Sequence, residues 1–266
     1  MAAPYINYLI GDPIVTPFEH AADYAETLVQ LPLCYQINDR ERAIANPPSR
    51  AELGLPDNAF VYCCFNQSYK INPEVFDAWA RILAAVPNGV LWLLGGNASA
   101  DSDVLEANLA REASARGIDR ERLVFAPRRS NAEYRGLYRR ADLFLDTWPY
   151  NAHTTASDAL WAGCPVLTFL GDTFAGRVAA SLLTAVGLPE LIAPDVNGYI
   201  GRAVALANAE GTLARARLHL ASAGRASPLF DTAATTRALE TAYLRMIAQA
   251  QKGERAPFRV DTTAPR

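Results

Sequence analysis

The chain has 266 residues, half of them hydrophobic and a fifth charged, which suits one large or two small soluble domains with a proper core. A formal net charge of −3 offers no basic field for nucleic acid or an anionic membrane, and no apolar run approaches the ~18 residues of a membrane span. The start lacks a signal-peptide pattern, and Cys34, Cys63, Cys64 and Cys164 show neither zinc spacing nor a disulfide framework, so the cytoplasm is the expected location. Of the 25 basic residues only Lys70 and Lys252 are lysines, so a lysine standing between two elements invites a reason.

Taken in order, residues 1–12 read as a strand entering a loop. Residues 17–31 read as a helix, with Pro17 in the first turn and Ala21, Tyr24, Ala25 and Leu28 at helical spacing. Residues 32–48 are irregular and read as a linker. The pattern then becomes regular. An apolar strand at 60–65 is followed by a loop at 66–72, and Pro73 opens a helix whose stripe is Val75, Phe76, Trp79, Ile82 and Leu83. A strand at 90–94 stops at Gly95-Gly96, a helix covers about 102–116, a strand covers 123–125, and a mostly polar helix covers 131–140.

The strand at 142–146 leads into Tyr150-Asn-Ala-His-Thr-Thr-Ala-Ser-Asp-Ala-Leu-Trp-Ala-Gly163. Within it a helix is expected to start with Thr155 as N-cap and Asp158 as its capping-box-like partner, and to stop at Gly163. A strand at 165–169, a helix to Val186 and a short strand at 191–192 follow, then helices near 195–208, 211–223 and 232–250. The tail from Gly253 is expected to be disordered.

Short apolar strands alternating with amphipathic helices predict an α/β fold, a doubly wound, Rossmann-like parallel sheet. The expected divisions are 1–48 as a segment with a linker, 49–231 as the Rossmann-like lobe, 232–252 as a terminal helix and 253–266 as the tail. Ligands of such a sheet sit beyond the carboxyl ends of the strands, which selects the loops 66–72, 95–99, 126–131 and 147–155.

Those loops hold the candidate chemistry. A helix start after a parallel strand offers free N–H groups and the positive dipole end to an anion, here flanked by His153, Thr154 and Thr155. Such groups suit a diphosphate. Lys70 and Gln67 stand in the first loop, where an ammonium can neutralise a phosphate or a departing diphosphate. Arg128 and Arg129 could touch phosphate or base, or form surface ion pairs. Asp158 could accept from a ribose hydroxyl, or simply complement the helix dipole. Arg177 reads as structural. The sequence lacks a Gly-x-Gly-x-x-Gly after a strand, a Walker-type loop, a Gly-x-Ser-x-Gly elbow and an Asp-x-Asp metal motif. A diphosphate would then be met by Lys70, His153 and backbone N–H groups, with no metal and no cofactor.

With these residues laid out, the chain resembles the C-terminal catalytic lobe of the bacterial-type protein O-GlcNAc transferases, two-lobed glycosyltransferases of the GT-B type. The resemblance rests on Phe65-Asn-Gln-Ser-Tyr-Lys70, Pro87-Asn-Gly-Val-Leu-Trp-Leu-Leu94, Asn151-Ala-His-Thr-Thr155, Asp158-Ala-Leu-Trp-Ala-Gly163, Arg177-Val-Ala-Ala-Ser181 and Ser227-Pro-Leu-Phe230. It implies inverting, metal-independent transfer of GlcNAc from UDP-GlcNAc to Ser or Thr of an acceptor protein. It also implies roles: Lys70 on the leaving diphosphate, Gln67 on the UDP, His153, Thr154 and Thr155 on the diphosphate, Asp158 on the ribose, and the backbone at Arg129 near the uracil. Tyr134 stands where the family commonly has a histidine against the uracil, and Asn131 and Leu137 stand where better-known members carry basic residues. Residues 1–48 then read as a remnant of the N-terminal lobe, which a separate chain could supply. A non-catalytic or split-enzyme UDP-binding module, and a related transferase using another UDP-hexose or an Asn acceptor, are the alternatives. Where a second lobe should pack, exposed apolar surface is expected, with 232–250 the least anchored helix.

Overall fold

The computed structural model of the chain describes residues 3–95 and 100–261. The first element is β1 (Tyr8–Gly11), but the helix expected over 17–31 is not formed. A 3₁₀ turn at Phe18–Asp23 leads instead into β2 (Thr27–Gln30), which pairs in parallel with β1. Tertiary pairing overrides the helical spacing here. Leu28 and Val29 are adjacent and both fully buried, as in a strand covered on its two faces.

The regular part follows the predicted order. It comprises β3 (Phe60–Cys64), α1 (Pro73–Ala85), β4 (Gly89–Leu94), α2 (Ala100–Ala115), β5 (Leu123–Ala126), α3 (Asn131–Leu137) and β6 (Leu143–Leu145). Next come α4 (Thr154–Ala162), β7 (Val166–Phe169), α5 (Val178–Val186), β8 (Ile192–Ala193), α6 (Val196–Asn208), α7 (Glu210–Ser222), α8 (Thr232–Gln251) and β9 (Phe258–Arg259).

Strands β3 to β8 form a six-stranded parallel sheet in the order β5-β4-β3-β6-β7-β8. Val61 to Cys64 and Val90 to Leu93 are buried without alternation, the signature of parallel strands covered on both faces. The thiols of Cys34, Cys63, Cys64 and Cys164 are all free and buried. The predicted stripe of α1 is buried as well. Its start is fixed by Asn72, whose side-chain oxygen accepts from the Val75 N–H at 2.9 Å, with Pro73 at the first helical position. Fully burying one such side chain contributes ~1.5–3 kcal/mol, so this stripe holds α1 to the sheet. Gly163 ends α4 at φ 91°, as expected of a left-handed stop.

The chain leaves β3 towards β5 on one side, then returns to the other side of β3 with β6. The strand order therefore reverses between β3 and β6. Such a reversal is where an open parallel sheet forms its ligand crevice, and the loops after these two strands border that point.

The tail corrects the expectation of disorder over 253–261, the residues beyond 261 lying outside those described. Strand β9 pairs with β2, completing a three-stranded parallel sheet β1-β2-β9. Phe258 and Val260 are buried with Val29, Leu31 and Ala242 in a second small core. Apolar residues with a strand to pair against outweigh the Pro- and Thr-containing composition of the tail.

Buried polar groups tie the small sheet to the large lobe. The Asp12 carboxylate accepts from the N–H groups of Ile14, Val15 and Tyr35, each at 2.9 Å, and from the Ser181 hydroxyl of α5 at 2.6 Å. Arg177 donates to the Ile14 carbonyl at 2.6 Å and the Gly171 carbonyl at 3.1 Å, the structural role its sequence context suggests.

Candidate functional site

The loop after β6 is built around one carboxylate. Asp146, fully buried at the end of the strand, accepts from the N–H groups of Thr147 at 2.8 Å and Ala152 at 2.6 Å, and from the Thr168 hydroxyl at 2.7 Å. Asn151 closes the same loop by donating to the Thr147 carbonyl at 2.8 Å. Burial pushes the Asp146 carboxyl up to about 7, and these hydrogen bonds together with the Lys70 charge pull against that rise.

This loop delivers His153 to the N-cap position of α4. The first turn differs from the expected one. The N-cap is His153 rather than Thr155, so the helix begins at Thr154, two residues early, and no side chain caps it. Thr155 donates instead to the Asn66 side-chain oxygen at 2.5 Å, and Asp158 pairs with Arg42 rather than closing a capping box. The first helical hydrogen bond runs from the Ser157 N–H to the His153 carbonyl at 3.1 Å, so the N–H groups of Thr154, Thr155 and Ala156 precede it. An uncapped helix start of this kind is a ready anion site.

From the other side of the crevice comes the loop after β3. Asn66 bridges the two sides: it accepts from Thr155 and donates to the Thr147 hydroxyl at 2.9 Å. Lys70 donates to the Asn151 carbonyl at 2.7 Å, and its ammonium lies 3.8 Å from the centre of the Tyr150 ring. Desolvation lowers the Lys70 pKa, with Asp146 and Cys64 opposing the shift. Burial also lowers His153, and the nearby Lys70 charge adds to that, which favours a neutral imidazole at neutral pH. Its Nε2 lies 3.4 Å from the Ala175 carbonyl.

The third loop, 126–131, meets the first through Arg128, which donates to the Gln67 side chain at 3.2 Å. Arg129 keeps a buried Nε without a hydrogen-bond partner. Tyr134 turns its ring against Phe65, centroids 5.1 Å apart, and donates its hydroxyl to the Phe65 carbonyl at 3.0 Å. Gln67, Lys70, His153, Thr154, Thr155 and Asp158 thus stand on loops and a helix start that border one crevice, with Arg129 and Tyr134 on its 126–137 flank. The loop at 95–99 lies outside the described residues beyond Gly95.

Sequence reasoning missed four residues of this surround: Asn66, Asp146, Tyr150 and Arg42. Asp146 left a usable signal, a carboxylate closing a wholly apolar strand. Arg42 left none, because it reaches the site from the irregular segment before the lobe. Among the described residues no group of three or more His, Cys, Asp or Glu side chains is arranged to hold a metal ion, and no helix is long and apolar enough to cross a membrane.

The model of glycosyl transferase family 41 matches residues 44–239. The probable UDP-N-acetylglucosamine–peptide N-acetylglucosaminyltransferase SEC of Arabidopsis thaliana is 37% identical over 251 residues, covering 92% of this chain and 25% of that protein. The UDP-N-acetylglucosamine–peptide N-acetylglucosaminyltransferase of Caenorhabditis elegans is 40% identical over 183 residues, covering 69% of this chain and 16% of its own length. Among solved structures, a mutant O-GlcNAc transferase of Thermobaculum terrenum superposes with a TM-score of 0.77 at 36% identity, over 90% of this chain and 45% of that one. Sucrose-phosphate synthase of Thermosynechococcus elongatus shares the fold, with a TM-score of 0.60 at 20% identity over 91% of this chain and 58% of its own. The expected fold, the C-terminal lobe of a GT-B glycosyltransferase, is the one observed. The chain spans about a quarter of the length of its Arabidopsis relative. On its motifs, its fold and the match over 44–239, the chain belongs to glycosyl transferase family 41.

Proposed function

We propose that this chain is the donor-binding lobe of a transferase that moves GlcNAc from UDP-GlcNAc to a Ser or Thr hydroxyl of a protein, with inversion and without a metal. The observation that carries the reading is that the Lys70 ammonium, coming from the loop after β3, is held on the Asn151 carbonyl of the loop that leads into the open start of α4. A diphosphate placed there finds three N–H groups, the Thr154 hydroxyl and a neutral imidazole on one side, and Thr155 once its hydroxyl turns from Asn66. On the other it finds an ammonium. Negative charge grows on the diphosphate as the sugar departs, so Lys70 and the helix dipole stabilise the transition state more than the ground state. In this reading Gln67 contacts the UDP, Asp158 accepts from the ribose, and the backbone at Arg129 borders the uracil, with Tyr134 beneath that flank.

The names of the relatives support a UDP-GlcNAc donor and a peptide acceptor for those proteins. For this chain the acceptor lobe, in the same or a separate polypeptide, would pack on Tyr243, Leu244 and Ile247 of α8, which are 53%, 69% and 55% exposed. Competition between UDP-glucose and UDP-GlcNAc separates this reading from that of a transferase for another hexose.

The deciding experiment is a calorimetric titration of UDP into the purified chain and into Lys70→Ala. A charge-assisted hydrogen bond contributes about 1.5–3 kcal/mol, so the variant is expected to bind roughly 10- to 100-fold more weakly. No saturable binding by the folded wild type, or equal binding by the variant, sinks the reading.

A further inference from the structure

Arg42 belongs to the irregular segment before the large lobe, yet its side chain ends at α4 and is only 9% exposed. Four of its five N–H donors are engaged. Nη1 donates to Asp158 Oδ1 at 2.5 Å and to the Ser157 hydroxyl at 3.2 Å. Nη2 donates to Asn38 Oδ1 at 2.8 Å, and Nε to the Asp39 carbonyl at 2.9 Å. The plane is backed by Phe230, whose ring centre lies 5.7 Å from Cζ. The backbone is pinned too, because the Trp161 indole donates to the Arg42 carbonyl at 3.0 Å. A guanidinium held at so many points cannot swing, so it fixes whatever it holds.

What it holds is one half of a carboxylate. Both cations near Asp158, Arg42 and the more distant Arg135 at 3.9 Å, approach Oδ1. Oδ2 has no hydrogen-bond partner among the described residues, in a side chain that is 15% exposed. The result is an acceptor with a fixed direction and an empty lone-pair site, one turn inside the open start of α4. A carboxylate free to rotate would present either oxygen, and would lose rotamer entropy on each binding event.

We propose that Arg42 is a positioning residue that orients Asp158 to accept from a vicinal diol of the ligand's pentose, and so sets the preference of this site for ribonucleotides over dideoxynucleotides. The proposal rests on the nucleotide reading above and deepens it. In this site the segment before the lobe docks the chain and also completes the sugar-recognition group on α4.

The test is a calorimetric titration of UDP and of 2′,3′-dideoxy-UDP into the wild type, Arg42→Ala, Asp158→Ala and the double variant, with thermal melts run alongside. One oriented hydrogen bond should give the wild type a preference for UDP of about fivefold or more. Arg42→Ala should weaken UDP several-fold and leave dideoxy-UDP nearly unchanged, so that the ratio falls towards one. In the Asp158→Ala background Arg42→Ala should leave the ratio where it is. Equal weakening of both nucleotides by Arg42→Ala makes Arg42 a docking residue only, and overturns the proposal while leaving nucleotide binding intact. A folded wild type that binds neither nucleotide overturns the nucleotide reading and this proposal together.

Discussion

The six-stranded sheet is buried along its central strands, whereas in the three-stranded sheet Tyr8, Leu9 and Ile10 of β1 are all partly exposed. Both sheets are parallel, and parallel strands are normally covered on both faces. The large sheet meets that requirement with its own helices. The small one relies mainly on α8, which buries Ala242 and leaves Tyr243, Leu244 and Ile247 exposed. A cavity of about 560 Å³ opens beside it, lined in part by Leu31, Leu33, Ala238 and Leu244, away from the β3/β6 crevice. The contrast separates a platform from the face proposed above for docking. The platform, buried along its central strands, carries the loops on which Lys70 and the start of α4 stand. The face at 232–250, where α8 buries Ala242 alone, is the less covered part, and under the function proposed above it would receive another lobe.

The largest effect should come from breaking the platform. Trp79, fully buried and donating to the Tyr199 hydroxyl at 3.2 Å, anchors α1. Trp79→Ala should cost about 3–5 kcal/mol in a urea melt, through lost transfer energy and a cavity. A loss no greater than that of an exposed substitution would mean the large core is not what holds the lobe together.

Asp146 ties the platform to the site, and its effect depends on pH. Because burial raises this carboxyl to about 7, above its ordinary value, the folded state keeps a proton that the unfolded state gives up. The stability that the group lends is complete below the unfolded pKa and drains away as pH rises through about 7. Relative to Asp146→Asn, the wild type should lose up to about 1.4 kcal/mol per pH unit between about pH 5 and pH 7. Parallel pH profiles for the two proteins would show that Asp146 is not the titrating group.

Gly136 tests how the segment before the lobe is fastened. A Cβ there would meet the Ala45 carbonyl at 2.5 Å, so backbone must move. Gly136→Ala should destabilise by about 1–3 kcal/mol, as overpacking does, and should expose 41–48 to limited proteolysis. An unchanged cleavage pattern would argue that the segment is held elsewhere.

The smallest effect is expected at the docking face. Phe258 is buried, but in a core of few members beside open surface. Phe258→Ala should therefore cost less than half of what Trp79→Ala does, with faster amide exchange confined to β2 and β9. Loss of the whole fold in that variant would erase the distinction between the two regions.

Much of the platform was legible because its signals are local. Apolar runs such as Phe60 to Phe65, the stripe of α1 and Gly163 each announce an element without help from distant chain. Lys70 and His153 were legible as candidate site residues for a related reason: both follow strand ends, where a parallel sheet meets its ligands. The failures have a common cause. Residues 17–31 carry helical spacing, yet β2 forms because β1 and, far away in sequence, β9 offer it partners. The tail looks disordered by composition, yet Phe258 and Val260 find a core in β2 and α8. Thr155 looks like a cap, but Asn66, opposite in the crevice, takes its hydroxyl.

The sequence by itself determined the alternation of strands and helices, and with it the carboxyl edge on which the site must lie, because periodicity and helix stops are properties of neighbouring residues. Its motifs also pointed to the family. Tertiary structure alone decided that the strand order reverses between β3 and β6, that Asn66 and Lys70 bridge the crevice there, and that Arg42 reaches across to take one oxygen of Asp158. Those contacts join residues tens to more than a hundred positions apart. Which of many polar groups meet is settled by packing, and no local pattern encodes it.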